Sequence, residues 1–133
     1  MKINYNPLIA VCSRSVSKNK SAVQILKKNF KNIRLNDTDK ILKDSELVSF
    51  IKDASAVIIG LEKFDEKLLK KCPKLVVIGK YGVGTNNIDF EALKKNNVKI
   101  LLQPGINKRA VSELTLSFMI QGLRNSYQLI NDV

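Results

Sequence analysis

The sequence predicts an α/β fold in which five parallel strands form one sheet with helices on both faces. Short apolar runs alternate five times with amphipathic segments, and the connections are too short for anything but parallel strands joined by right-handed crossovers. The run 75–78 (LVVI) is apolar throughout, which is typical of a strand buried on both faces of a parallel sheet. With 133 residues, 44% of them apolar, the chain has the size and composition of one globular domain. We therefore expect a doubly wound, flavodoxin-like sheet with strand order 2-1-3-4-5 and a long C-terminal helix.

Each predicted element is bounded by residues that begin or end it. The strands are predicted at 8–12, 33–35, 56–59, 75–78 and 98–102. The helices are predicted at 18–30, from Ser45 onward, at 65–71, at 90–97 and at 108–130. Ser17, Asp65 and Asp89 are expected to cap helices, because their side-chain oxygens can accept from an amide of the first turn. Segments 13–17 and 36–43 are expected to be irregular. The apolar helix faces carry Ala22, Val23, Leu26, Phe30, Leu47, Val48, Ile51, Leu68 and Leu69.

A glycine turn directly after the fourth predicted strand is the first candidate site. Gly82 and Gly84 flank Val83, and glycine can take a positive φ because it has no Cβ atom. Such a turn can direct consecutive amides at an anion, the arrangement called a nest. It also follows the carboxyl end of a strand, where open parallel sheets bind ligands. The same spacing also fits a tight strand-to-helix turn that binds nothing.

Charge and composition exclude several classes of protein. The net charge is +11, from 23 basic and 12 acidic residues, but the lysines are spread along every predicted helix. This favours a solvated basic surface over a nucleic-acid interface, and a positive field favours small anionic substrates. Cys12 and Cys72 lack metal-site spacing and are expected to be buried, reduced thiols of a cytoplasmic protein. The sequence has no signal-peptide pattern and no apolar run long enough to span a membrane.

Several enzyme classes are excluded by missing motifs. A dinucleotide fingerprint needs G-x-G-x-x-G after the first strand, where Ser13, Arg14 and Ser15 stand. The glycine turn itself has Asn87 at the position of the third glycine and follows the fourth strand. There is no Walker A motif, and with no histidine in the chain there is no histidine-based triad or metal pair.

Three blocks of sequence resemble a known family. They are 56–61 with 64–69, 73–89 (PKLVVIGKYGVGTNNID) and 103–116 (QPGINKRAVSELTL). Together they are similar to the N-terminal part of the NAD-dependent D-2-hydroxyacid dehydrogenases, the family that includes D-3-phosphoglycerate dehydrogenase. The resemblance implies a flavodoxin-like substrate-binding domain that is interrupted in sequence by a Rossmann nucleotide-binding domain, with a 2-hydroxy or 2-oxo acid bound between them.

The resemblance also implies which residues bind substrate. The amides of Val83 and Gly84, with Gly82, are expected to hold the substrate carboxylate. Lys80 and Tyr81 flank the turn and are possible substrate contacts. Asn107 lies near the cleft in the family's Pro-Gly-x-Asn turn, where it either contacts the ligand or caps the next helix. The solvated-loop interpretation is favoured for Arg14, Glu62 and Lys63, although they follow strands at the same edge.

The family's catalytic groups have no counterpart in this sequence. The resemblance implies an Arg, a Glu and an acid/base His in the nucleotide-binding half, together with the NAD loop, and this chain has no histidine. We therefore expect the chain to be the substrate-binding portion of such an enzyme, inactive alone and without tight NAD binding. A different hypothesis is a stand-alone, non-catalytic α/β module that binds a small carboxylate or a protein partner.

The C-terminal segment is expected to behave differently from the rest. We predict a substrate-binding domain over 1–107 and a crossover helix over 108–133 that leads toward a nucleotide-binding domain. Between Glu113 and Arg124 this helix carries no charged residue, and a helix that is apolar nearly all round is typically buried on more than one side. We expect self-association through it, either as a two-fold helix pair or by exchange of the helix about a hinge at 104–107.

Overall fold

The computed structural model describes residues 6–131, and the chain divides between Gln103 and Pro104 into two compact units. The first unit contains a sheet of five parallel strands. They are β1 (Ile9–Val11), β2 (Ile33–Leu35), β3 (Ala56–Ile59), β4 (Val77–Lys80) and β5 (Lys99–Leu101). Their order is β2-β1-β3-β4-β5, which confirms the predicted α/β fold and its topology.

Helices connect the strands of the first unit and make up most of the second. The first unit contains α1 (Arg14–Lys18), α2 (Lys20–Asn29), α3 (Asp44–Ile51), α4 (Glu66–Lys70) and α5 (Phe90–Lys95). The second contains α6 (Lys108–Leu123) and α7 (Ser126–Asn131). No helix within residues 6–131 is long and apolar enough to cross a membrane.

Two of the three predicted helix caps are confirmed. Asp65 accepts a hydrogen bond of 3.0 Å from the amide of Leu68, and Asp89 accepts one of 2.9 Å from the amide of Ala92. Each carboxylate thereby satisfies an amide that the first helical turn leaves without a partner. The same hydrogen bond is the main cause that lowers the pKa of Asp65.

The prediction at the end of β1 is wrong. Segment 13–17 is not a loop but begins α1, and Ser17 lies inside that helix, where its hydroxyl donates to the carbonyl of Val11 at 3.2 Å. Asn19 caps α2 instead, accepting from the amide of Ala22 at 3.0 Å. An amide side chain caps as well as a hydroxyl does, and the hydroxyl of Ser17 is already engaged. Phe30, predicted to face the core, is 40% exposed.

The fourth strand begins two residues later than predicted. Val77 to Lys80 pair in register with Ala56 to Ile59 of β3, so the neighbouring strand, and not the apolar run, sets the bounds. Burial of 75–78 on both faces is therefore wrong in part, because Val76 is 51% exposed. The shift brings Lys80 to the end of the strand.

The predicted helix 108–130 is interrupted. Its first part ends at Leu123, and Asn125 has a φ of 55°, in the left-handed region that asparagine tolerates better than most residues. The chain then re-enters a helix at Ser126.

The core lies between the sheet and the helices that follow β2, β3 and β4. Its largest fully buried side chain is Phe64, at 0% exposure, and the same buried cluster contains Leu47, Ile51, Ile59 and Ile78. Cys12 and Cys72 are free and buried, as predicted. Burial raises the pKa of the Cys12 thiol above its ordinary value, which keeps the group in its unreactive form.

Candidate functional site

A small cavity opens at the carboxyl edge of the sheet, where β1, β3 and β4 end. Its volume is about 270 Å³. It is lined by Ser13, Arg14, Ser15, Ile41, Gly60, Leu61, Glu62, Tyr81 and Gly82. These residues come from the turns that follow three parallel strands and from the segment after β2. Because parallel strands end at the same edge, residues far apart in sequence meet there.

The glycine turn combines a positive φ at Gly82 with backbone amides that have no carbonyl partner among the described residues. Gly82 has a φ of 106°, which only glycine adopts without strain. Among the described residues, no backbone carbonyl accepts a hydrogen bond from the amides of residues 82–85, whereas the amide of Tyr81 donates to Ile59 at 2.8 Å. Ladder pairing therefore stops at Tyr81, and the amides of residues 82–87 are left for water or a ligand. Of the two glycines in this turn, Gly82 has a positive φ and Gly84 does not.

Lys80 places a cation beside this turn. Its ammonium donates to the carbonyl oxygen of Gly60 and, at 3.4 Å, to that of Tyr81. Partial burial lowers its pKa, an effect that the negative charge of Glu62 opposes. Desolvation disfavours the charged form, so an anion arriving at the turn would stabilise the charge of the ammonium.

Glu62 is a buried carboxylate and not part of a solvated loop. It is 2% exposed, and one carboxylate oxygen accepts from the amide of Gly60 at 2.7 Å. The expectation that Glu62 is part of a solvated loop is therefore wrong, because the chain turns back after β3 and the carboxylate hydrogen-bonds to the backbone of the same turn. A Cβ atom at Gly60 would lie 3.2 Å from the hydroxyl oxygen of Ser13, which shows how closely the turns after β1 and β3 pack.

Asn87 joins the glycine turn to the turn after β3. Its amide nitrogen donates to the carbonyl of Glu62 at 2.6 Å and to that of Gly60 at 3.2 Å. The backbone continues the link, since Phe64 donates to the carbonyl of Asn87 at 2.8 Å and accepts from the amide of Asp89 at 2.9 Å. The two turns are thus held together by side-chain and backbone hydrogen bonds. Sequence reasoning missed this role, although an asparagine between a glycine turn and a helix cap is a recognisable signal.

The predicted site residues are only partly brought together. Gly82 and Tyr81 line the cavity, and Lys80 hydrogen-bonds to Gly60 in its wall. Val83 and Gly84 do not line it and are exposed. The nest and the cavity are consequently adjacent surfaces that share Gly82.

The other residues considered at this edge have different environments. Arg14 lines the cavity but donates to the carbonyl of Asp39 at 2.6 Å. Lys63 is solvated as expected, its side chain being 79% exposed and 3.6 Å from Asp65. Asn107 stands at the N-cap position of α6, but its side chain makes no capping hydrogen bond, so the capping role considered for it is wrong. It belongs to the second unit.

The described residues form neither a metal site nor a dinucleotide site. Within residues 6–131, no group of three or more His, Cys, Asp or Glu side chains is placed to hold a metal ion. After β1 the chain enters α1 through Ser13 and Arg14 without a glycine, so no backbone concavity for a pyrophosphate forms there. At the glycine turn, the side chain of Asn87 is committed to Gly60 and Glu62. These residues do not fit NAD.

Fold and site together define a class: a flavodoxin-like α/β domain with a glycine turn at the carboxyl edge of its sheet. Residues 9–127 match the family model described as "D-isomer specific 2-hydroxyacid dehydrogenase, catalytic domain". This chain therefore belongs to the D-isomer specific 2-hydroxyacid dehydrogenase family, as the resemblance predicted.

Individual relatives agree with this assignment. The chain is 35% identical over 85 residues to a D-3-phosphoglycerate dehydrogenase of Methanocaldococcus jannaschii, covering 63% of this chain and 16% of that protein. It is 26% identical over 107 residues to a hydroxypyruvate reductase of Thermotoga maritima, covering 80% of this chain and 34% of that protein. The chain thus spans 16% and 34% of the lengths of these two relatives.

A solved structure extends the likeness to three dimensions. The NAD⁺-bound 3-phosphoglycerate dehydrogenase of Entamoeba histolytica superposes with a TM-score of 0.73 at 27% identity, covering 92% of this chain and 41% of that one. NAD as the cofactor of the family, which the resemblance implied, is confirmed by this relative.

Proposed function

We propose that this chain is the substrate-binding portion of an NAD-dependent dehydrogenase that interconverts a 2-hydroxy acid and a 2-oxo acid. One observation carries the proposal: four consecutive backbone amides, at residues 82–85, have no carbonyl partner among the described residues. They follow a strand of a parallel sheet whose family acts on 2-hydroxy acids. A carboxylate is the group that such substrates share, and a row of free amides is suited to bind it.

The residues of this chain bind and orient the substrate. The amides of Val83 and Gly84 donate to the carboxylate, and Gly82 supplies the turn that points them outward. Lys80, whose ammonium is partly desolvated, adds a positive charge beside the same group. Fixing the carboxylate at two or more points fixes the orientation of the neighbouring carbon, which is the positioning contribution to catalysis. In the family, NAD accepts or donates the hydride. The residues named above bind and orient the substrate, and their roles do not involve NAD.

Acid/base catalysis is assigned to another part of the enzyme. A 2-hydroxy acid must lose its hydroxyl proton as it is oxidised, and the reverse reaction must return that proton. The family resemblance implies a His for this step, and this chain contains none. Two of the ionisable groups around the cavity are already engaged, Glu62 by the amide of Gly60 and Arg14 by the carbonyl of Asp39. We propose that the chain alone binds its substrate weakly and does not oxidise it.

The proposal is tested by amide chemical-shift mapping with pyruvate. We expect millimolar pyruvate to shift the resonances of residues 81–85, with weak affinity because few groups contact the ligand. Pyruvamide, which has the same shape without the charge, is the matched ligand control and is expected to leave these resonances unchanged. Gly84→Val places a branched side chain where the anion approaches and is expected to abolish the effect.

Two results would contradict the proposal. Shifts confined to surface lysines, with residues 81–85 unchanged, would indicate general anion binding to a basic surface. Equal shifts with pyruvate and pyruvamide would show that the turn does not recognise the carboxylate. In either case the stand-alone module that binds a different partner becomes the better description.

A further inference from the structure

Two buried polar side chains at the carboxyl edge of the sheet have no role in holding a substrate carboxylate. Ser13, after β1, is 3% exposed, and Glu62, after β3, is 2% exposed. Both line the cavity that adjoins the glycine turn. Because a polar group is costly to bury without a hydrogen-bond partner, the partners of these two side chains indicate what the cavity is suited to bind.

The Glu62 carboxylate has one engaged oxygen atom and one free oxygen atom. Oε2 accepts the hydrogen bond from the amide of Gly60 at 2.7 Å, whereas Oε1 has no hydrogen-bond partner among the described residues. Glu62 also takes part in none of the ion pairs found within residues 6–131. Every fully buried side-chain nitrogen or oxygen atom in the described part of the chain has a partner. Oε1 is therefore not enclosed in the core but opens into the cavity.

The Ser13 hydroxyl is free in the same way. It forms no hydrogen bond with any residue that the structure describes, so it also opens into the cavity that Ser13 lines. Gly60 lies beside both groups, since a Cβ atom at this position would be 3.2 Å from Oγ of Ser13 and 3.8 Å from Oε2 of Glu62. A free hydroxyl and a half-engaged carboxylate thus flank one glycine, and the lack of a side chain at Gly60 keeps the space beside them open.

We propose that this cavity binds the side chain of a 2-oxo or 2-hydroxy acid that carries a hydroxyl group beyond the reacting carbon. The substrate hydroxyl donates to Oε1 of Glu62 and accepts from the hydroxyl of Ser13. This assignment rests on the proposed function, because a substrate whose carboxylate is held at the glycine turn extends into the cavity that shares Gly82 with that turn. The cavity, of about 270 Å³, has room for a side chain of several atoms.

A neutral hydroxyl group suits both side chains better than the alternatives do. A carboxylate only accepts hydrogen bonds, whereas a hydroxyl both donates and accepts. An apolar substrate side chain would displace water and leave a buried carboxylate oxygen without a donor, which is unfavourable. A phosphate or a second carboxylate would bring negative charge close to Glu62. The cation in the cavity wall, Arg14, already donates to the carbonyl of Asp39.

The first test compares matched ligands by amide chemical-shift titration of the unmodified chain. Hydroxypyruvate and 2-oxobutyrate have the same charge and nearly the same size, and differ by a hydroxyl in place of a methyl group. We expect hydroxypyruvate to bind at least fivefold more tightly. It should also shift the amide resonances of Gly60 and Glu62 in addition to those of residues 81–85. 3-Phosphohydroxypyruvate is expected to bind more weakly than hydroxypyruvate.

The second test changes the two side chains separately. Glu62→Gln keeps the length of the side chain and an oxygen for the amide of Gly60, but removes the charge. We expect it to lower the preference for hydroxypyruvate over 2-oxobutyrate and to strengthen binding of the phosphorylated ligand at least threefold. Ser13→Ala is expected to lower the same preference without favouring the phosphate. Lys63→Gln is the matched control, since that side chain is 79% exposed, and is expected to change neither ratio.

Pyruvate separates the failure of this proposal from the failure of the proposed function. Circular dichroism checks the fold of each variant, and each is expected to bind pyruvate at residues 81–85 as the unmodified chain does. If pyruvate binds there but hydroxypyruvate and 2-oxobutyrate bind equally, or the phosphorylated ligand binds more tightly than hydroxypyruvate, the hydroxyl site is overturned and the carboxylate site stands. If pyruvate leaves residues 81–85 unchanged, both proposals are overturned.

Discussion

Replacing Gly82 by alanine tests the glycine turn most directly. With a φ of 106°, Gly82 has a backbone conformation that residues with a Cβ atom rarely adopt. Space is not the obstacle, since a Cβ atom there would lie 3.9 Å from the ammonium nitrogen of Lys80, an ordinary contact. The cost is therefore backbone strain, of about 1–3 kcal/mol.

Gly84→Ala is the matched control in the same turn. Gly84 is not among the residues with positive φ, and a Cβ atom there would meet the side-chain oxygen of Asn86 at 3.6 Å. This substitution is expected to leave the free energy of unfolding unchanged within about 0.5 kcal/mol. Reduced freedom of the unfolded chain could raise it slightly.

Thermal and urea unfolding followed by circular dichroism measure the difference. In a domain of about 100 residues, each kcal/mol lost lowers the Tm by roughly 4–8 °C, so Gly82→Ala and Gly84→Ala should be clearly separated. Equal stability of the two variants would refute the strained-turn argument. A larger loss of stability in Gly84→Ala than in Gly82→Ala would mean that the turn requires glycine at position 84 and not at position 82.

Three further predictions concern the surroundings of the site. Asp65→Ala is expected to lose about 1 kcal/mol of stability at neutral pH. Because the hydrogen bond from Leu68 lowers the pKa of Asp65, this difference in stability from the unmodified chain should shrink as the pH falls below the ordinary value of 3.8. A difference that does not change with pH would contradict a charged cap. Asn87→Ala removes the donor that the carbonyls of Gly60 and Glu62 share and is expected to cost about 1–3 kcal/mol in urea unfolding, whereas an unchanged midpoint would show that water replaces it. Calorimetric titration with NAD is expected to give no saturable heat in the micromolar range, and saturable binding would contradict our exclusion of a dinucleotide site.

The sequence located the sheet well because its signals are local. Apolar runs and capping residues depend on a few neighbours along the chain, so the predicted bounds of β2 and β3 coincide with those of the structure, as do the caps at Asp65 and Asp89. The predicted bounds and caps were wrong where a residue that is distant in sequence but close in the fold forms a hydrogen bond that the local pattern does not reveal. The first residue of β4 is set by pairing with β3, and Ser17 is diverted from capping by the carbonyl of Val11.

By itself, the sequence determined the fold class, the strand order, the glycine turn and the resemblance to the dehydrogenase family. Only the tertiary structure decided that Glu62 is buried, that Asn87 fastens the glycine turn to residues 25 and 27 positions away, and that residues following three different strands line one cavity. The physical reason is distance along the chain. Burial, long-range hydrogen bonds and cavities depend on which elements meet in space, and neither periodicity nor a short motif carries that information.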